Sequence, residues 1–120
     1  MIGGAEANIS IEMLRSAVAF RAIQTDSQSR THPLLLLRYR RNDLDRTRYG
    51  LSTSRRVGSA VVRNRLRRRL RVVLERLDAR VVPGWDVLFV ARAAAGAADQ
   101  AALELAVGTL MAGARLLRDP

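Results

Sequence analysis

The run Ser54-Arg55-Arg56-Val57-Gly58-Ser59-Ala60-Val61-Val62-Arg63-Asn64-Arg65-Leu66-Arg67-Arg68-Arg69-Leu70-Arg71 combines a chain breaker, a helix start and a charge cluster. Gly58 interrupts the preceding segment, and the hydroxyl of Ser59 can cap the first free amides of a helix. No Gly or Pro follows until Pro83, so the spacing predicts one long helix over 60–77. At about 100° per residue, Val62, Leu66, Leu70, Val73, Leu74 and Leu77 fall within an arc of about 120°, which is the core face. Arg63, Arg67 and Arg71 run down one flank. Asn64 and Arg68 occupy the exposed back, and Arg65, Arg69 and Arg76 line the other flank.

Eight arginines fall between Arg55 and Arg71 with no acid among them. The chain has 21 basic and 11 acidic residues, so the thirteen other basic residues nearly balance the acids and this segment supplies +8 of the net +10. Like charges three and four apart repel by a few tenths of a kcal/mol, about 0.2–0.5 per pair. A helix built only for stability would interleave acids, and a mixed-charge helix would be read as a solvated face. An anionic partner is the simplest reason for this pattern, and a phosphate backbone fits it through counterion release. A membrane-surface helix would need its apolar arc free, whereas the flanking strands need that arc for a core.

Outward from this helix, 60–77, the chain reads helix, strands, helix, strand, helix. A first helix is expected after a cap at Ser10 or Ser16, with Leu14, Val18, Phe20 and Ile23 at roughly helical spacing. Residues 25–32 read as a polar turn. The leucine run 34–37 suits helix or strand, but Pro33, the later alternation and the Asn42-Asp43 turn favour a strand. Residues 49–54 form a second strand, and the two are expected to pair as a hairpin. Pro83-Gly84 is a turn, and 85–92 is a strand whose continuous apolar centre suits burial on both faces. Asp99 caps a last helix through about Leu117, with Leu103, Val107, Leu110, Ala114 and Leu117 inward. The implied class is an α/β sandwich of helices on a small mixed sheet.

At 120 residues the chain is one domain, 1–120, with residues 1–9 read as a flexible tail. It has no Cys, which excludes disulfides and thiolate zinc sites and fits a reducing cytoplasm. All 21 of its basic residues are Arg, whose planar fork grips phosphate bidentately. No signal peptide and no membrane-length apolar run is visible. His32 is the sole His and is read as a loop residue. Asp43 and Asp45 could share a cation but are expected to pair with Arg46 or Arg48. No carboxylate cluster suggests a two-metal nuclease. Charge alone does not decide between DNA and RNA; no helix-turn-helix precedes the arginine helix, which is approached from a strand, and RNA would be read by shape, backbone and stacked single strands. Two Phe, two Tyr and one Trp make few stacking platforms.

The block from Arg48-Tyr49-Gly50-Leu51-Ser52 through Arg55-Arg56-Val57-Gly58 to Arg63-Asn64-Arg65-Leu66-Arg67-Arg68 closely resembles the signature of the bacterial ribonuclease P protein component. Downstream, Pro83-Gly84-Trp85-Asp86-Val87-Leu88-Phe89-Val90-Ala91-Arg92 is similar to the family's Pro-Gly-aromatic-Asp strand, in the right order and spacing. The resemblance covers about residues 16–117. It implies a four-stranded mixed sheet with three helices and a left-handed strand–helix–strand crossover, against the usual hand. It also implies a subunit that binds the catalytic RNA of ribonuclease P and assists removal of the 5′ leader from precursor transfer RNA. Chemistry would belong to RNA-bound magnesium ions, with no cofactor on the protein itself. By resemblance, Arg55, Arg56, Arg63, Asn64, Arg65, Arg67 and Arg68 face the RNA subunit; Arg69 and Arg71 join them as members of the same charged run. The implied leader cleft draws on Phe20, Ile23, Leu35 and Leu37. Phe20 and Ile23 match the first aromatic and the Val of the family's Phe-x-x-Val-Phe pattern. Gln24 stands at the second aromatic, and Leu37 where the strand often carries Tyr. The alternative is a ribosomal or other structured-RNA-binding protein without a processing role.

Overall fold

A computed structural model describes residues 11–118; the expected tail at 1–9 and the Ser10 cap lie outside the described residues. Five strands form one mixed sheet: β1 (Glu12–Met13), β2 (Gln28–Thr31), β3 (Leu35–Arg41), β4 (Arg48–Ser52) and β5 (Trp85–Ala91), in the order β1-β4-β5-β3-β2. β1, β4 and β5 run parallel to one another, and β3 and β2 are antiparallel to their neighbours. Three helices cover it: α1 (Ala17–Thr25), α2 (Ala60–Leu77) and α3 (Gln100–Gly113).

The mixed α/β class with three helices is as expected, with five strands rather than four. The extra pairing is β1, only two residues long. β2 lies in the segment read as a turn. All four of its residues are exposed, so this edge strand has no apolar alternation to betray it.

The expected hairpin does not form. β5 lies between β3 and β4 and pairs with both. Asp86 of β5 ties this arrangement at one end. Its carboxylate, 2% exposed, accepts from Arg48 Nε at 2.9 Å and Nη2 at 2.8 Å, and from Asn42 Nδ2 at 2.9 Å. One buried acid thus clamps the end of β3 and the start of β4 against the middle strand. The intervening loop straddles the start of β5: Asn42 N donates to Gly84 O, Thr47 Oγ1 to Val82 O, and Trp85 N to Thr47 Oγ1. Arg48 therefore pairs with Asp86, while Asp45 meets Arg46 at 3.5 Å.

α2 spans 60–77 as predicted, and Ser59 Oγ accepts from Val62 N. Leu66, Leu70, Val73 and Leu74 are buried, with Val62 and Leu77 at the rim of the same core. α3 buries Leu103, Ala106, Val107, Leu110 and Met111 against it. It stops at Gly113 rather than near Leu117, because Arg115 adopts a left-handed φ of 61° and Leu116 N returns to Met111 O. Leu117 then bridges to Val81.

α1 packs on the opposite face of the sheet, against β3 and β5. Ser16 is its cap, accepting from the amides of Val18 and Ala19. Ile23 is its one buried residue, whereas Val18 is 74% exposed. Five residues separate them, about 140° on a helix, so both cannot face the sheet. Leu14 is buried but precedes the helix.

Candidate nucleic-acid interface

A short 3-10 turn, Arg55–Val57, carries the chain from β4 into α2 and presents Arg55 and Arg56 to solvent. Ser54 Oγ caps it by accepting from Arg56 N. Gly58 sits at φ 149°, and a Cβ there would meet Val62 Cγ1 at 2.9 Å, so glycine is required where the turn meets the helix.

The arginines divide by what their own fold asks of them. Arg65 and Arg68 are exposed, and neither they nor Arg55 and Arg56 make a side-chain hydrogen bond or ion pair among the described residues. Arg63 is half-buried, and its Nε is buried without a partner among those residues. Arg67 is half-buried and donates to Thr53 Oγ1 and Asn64 Oδ1, fixing the orientation of the Asn64 amide. Arg69 reaches α3 instead: its Nη1 donates to Ala98 O at 3.2 Å, and its own carbonyl accepts from Gln100 Nε2. Arg71 pairs with Glu75 one turn on, at 3.4 Å.

A cleft of about 460 Å³ opens between α1, α2 and the part of β4 that β1 leaves uncovered, Gly50 and Leu51. Leu14, Phe20, Gly50 and Leu51 form its apolar wall, and Asn64, Arg67, Arg68 and Arg71 its polar wall. Gly50 keeps it open: a Cβ there would lie 3.0 Å from Leu14 Cδ1 and 3.2 Å from Phe20 Cε1. Phe20 and the Arg-Asn-Arg helix, far apart in sequence, thus share one cleft. A second hollow of about 500 Å³, at the end of β5, places Arg56 beside Arg92 and Ser54.

Three of the four expected cleft residues lie elsewhere. Leu35 and Leu37 are 0% exposed and belong to the core beneath α2 and α3. A one-residue step along a strand turns a side chain to the other face. On β3 the residues facing α1 are therefore Leu36, Arg38 and Arg40, and Arg38 rather than Leu37 stands at the level of Leu88 and Gly50. Ile23 is fully buried under α1. Leu14, Gly50, Leu51, Thr53 and Arg92 join these surfaces without being marked as site residues by the sequence pattern. Glycine inside a strand was the available signal for Gly50, since it marks close approach.

Among the described residues, no group of three or more His, Asp or Glu side chains is placed to hold a metal, and no helix is long and apolar enough to cross a membrane. His32 serves its own turn, Nδ1 accepting from Leu34 N at 3.0 Å.

The family model described as Ribonuclease P matches residues 10–115. The chain belongs to the ribonuclease P protein family. It is 33% identical over 108 residues to the ribonuclease P protein component of Herpetosiphon aurantiacus, covering 90% of this chain and 88% of that one. It is 37% identical over 82 residues to that of a Roseiflexus species, covering 68% and 67%. Its fold is similar to the ribonuclease P proteins of Staphylococcus aureus (TM-score 0.83, 19% identity, 91% of this chain and 100% of that chain) and Thermotoga maritima (TM-score 0.75, 24% identity, 82% and 93%). The protein is the protein subunit of an RNA-based endoribonuclease that acts in transfer RNA processing, and a structured-RNA binder without a processing role is not favoured.

Proposed function

We propose that Arg55, Arg56 and the outward arginines of α2 dock on the catalytic RNA subunit, and that the adjoining cleft receives the single-stranded 5′ leader of precursor transfer RNA. The observation that carries this reading is the continuity of the two surfaces: Phe20 of α1 and Asn64, Arg67, Arg68 and Arg71 of α2 line one cleft. A strand entering it would lay a base against Phe20 and Leu51 and its phosphates toward Arg68. Arg67 acts through Asn64, whose amide it orients. Arg69 acts in the fold, as a tie between α2 and α3. In this reading the protein works in the cytoplasm, binds and positions, carries no cofactor, and leaves the hydrolysis to magnesium ions held by the RNA.

The test uses precursor transfer RNA with magnesium. Protein alone should give no product with the mature 5′ end, and adding the RNA subunit should restore cleavage. Clean cleavage by RNA-free protein would overturn the reading. Arg65→Ala and Arg68→Ala should weaken RNA-subunit affinity without lowering the melting temperature, since exposed sites change stability by only about 0.5 kcal/mol.

A further inference from the structure

A hollow of about 550 Å³ lies where β5 begins, at the opposite end of the sheet from the start of α2, which follows the end of the parallel strand β4. Gln28, Tyr39, Arg40, Arg41, Asp43 and Trp85 line it. Two of the chain's five aromatic residues meet here, with Tyr39 and Trp85 ring centroids 5.9 Å apart at 55°. The Arg41 guanidinium lies over the Trp85 ring, 5.2 Å from its centroid. Indole and guanidinium together make a layered platform of the kind on which a base stacks.

The polar groups around that platform select what it can hold. Arg40 lines the hollow with a buried Nε that has no partner among the described residues. Asp43 is held in a left-handed conformation at φ 60°, and its carboxylate makes no hydrogen bond or ion pair among them. Asp43 and Asp26 place carboxylates in the wall, which disfavours a phosphate inside. A base carrying an exocyclic amine suits it: the amine donates to Asp43, and ring acceptors face arginine donors. Uracil would turn a carbonyl toward the Asp43 carboxylate.

We infer that this hollow binds an unpaired, amino-bearing nucleobase of RNA, stacked on the Trp85–Arg41 pair. The inference rests on the protein's being an RNA binder but uses neither α2 nor the Phe20 cleft. Trp85 is the sole Trp, so its fluorescence reports this site alone. The probes are hexacytidylate and hexauridylate, two pyrimidine strands that differ at the exocyclic group. Hexacytidylate should quench Trp85 and bind about tenfold more tightly than hexauridylate, as expected for one hydrogen bond to a charged group. Asp43→Asn should abolish that preference, and Arg41→Ala should reduce the quenching. Both residues are exposed, so melting temperatures should hold. Oligomer binding seen by anisotropy of labelled RNA with no change in Trp85 fluorescence would overturn the inference. So would equal affinity for the two strands. Either result leaves the assignment of α2 intact, because that rests on RNA-subunit affinity.

Discussion

Monovalent salt should weaken the hold on the ribonuclease P RNA by an amount fixed by which arginines the fold leaves over. Of the eight between Arg55 and Arg71, Arg67 is tied to Thr53 and Asn64, Arg69 to the Ala98 carbonyl, and Arg71 to Glu75. Arg55, Arg56, Arg63, Arg65 and Arg68 remain. Each phosphate contact adds about 0.7–0.9 to the slope of log K against log salt, so five contacts give about −3.5 to −4.5. Eight contacts would give about −6 to −7. Between 50 and 200 mM salt, the five-contact slope predicts a loss of affinity on the order of several hundred-fold. The assay is anisotropy of an end-labelled RNA subunit, with magnesium constant and potassium chloride varied. Arg65→Ala should make the slope shallower by about 1 and cost about 1.5–3 kcal/mol of affinity. Arg69→Ala should leave the slope unchanged and lower the melting temperature, because it unties α2 from the start of α3. A slope near −1 would mean that the cluster is a solvated face, and a slope near −7 that the internal ties do not hold against RNA.

Three further outcomes follow from the packing. Asp86→Ala should cost about 3 kcal/mol, the low end for breaking a buried pair because Arg48 is partly exposed, and lower the melting temperature on the order of 10–15 °C in thermal unfolding. Burial and the 2.5 Å hydrogen bond to Asp78 raise the Tyr49 phenol above its ordinary range, so its stabilisation is complete below the unfolded tyrosine value of about 10 and is lost as pH rises beyond it. Denaturant titrations from pH 9 to about 11 should show the native protein weakening and Tyr49→Phe staying flatter. Ile23→Ala should cost about 2–5 kcal/mol as a core truncation, whereas Phe20→Ala should spare most of the stability and raise KM for precursors with long leaders. A sharp drop in melting temperature with unchanged KM for Phe20→Ala would remove that ring from the leader cleft.

Elements whose signals are local could be read from the chain alone. α2 starts behind Gly58 and Ser59 and carries an unbroken 3.6-residue apolar period, so its start and the centre of its buried face were legible, whereas no local stop signal marks its end at Leu77. β2 could not be read, because an edge strand exposed at every residue carries no hydrophobic pattern. The order of the sheet is a long-range matter: β5 ladders with both β3 and β4, and Asp86 accepts from both Arg48 and Asn42, although sequence proximity would pair those two strands with each other. Leu35 and Leu37 show a different limit. In a run of four leucines both faces of the strand are apolar, so alternation cannot say which face meets α1, and only the packed register decides. The arginines show the same limit in charge. Arg65 and Arg69 share a flank on the wheel, one turn apart, yet α3 begins beside Arg69 and supplies the Ala98 carbonyl, while Arg65 stays in solvent. Net charge therefore states that an anion is expected, and tertiary contacts state which cations are free to meet it. The salt slope measures the second quantity, which is why it can separate five arginines from eight.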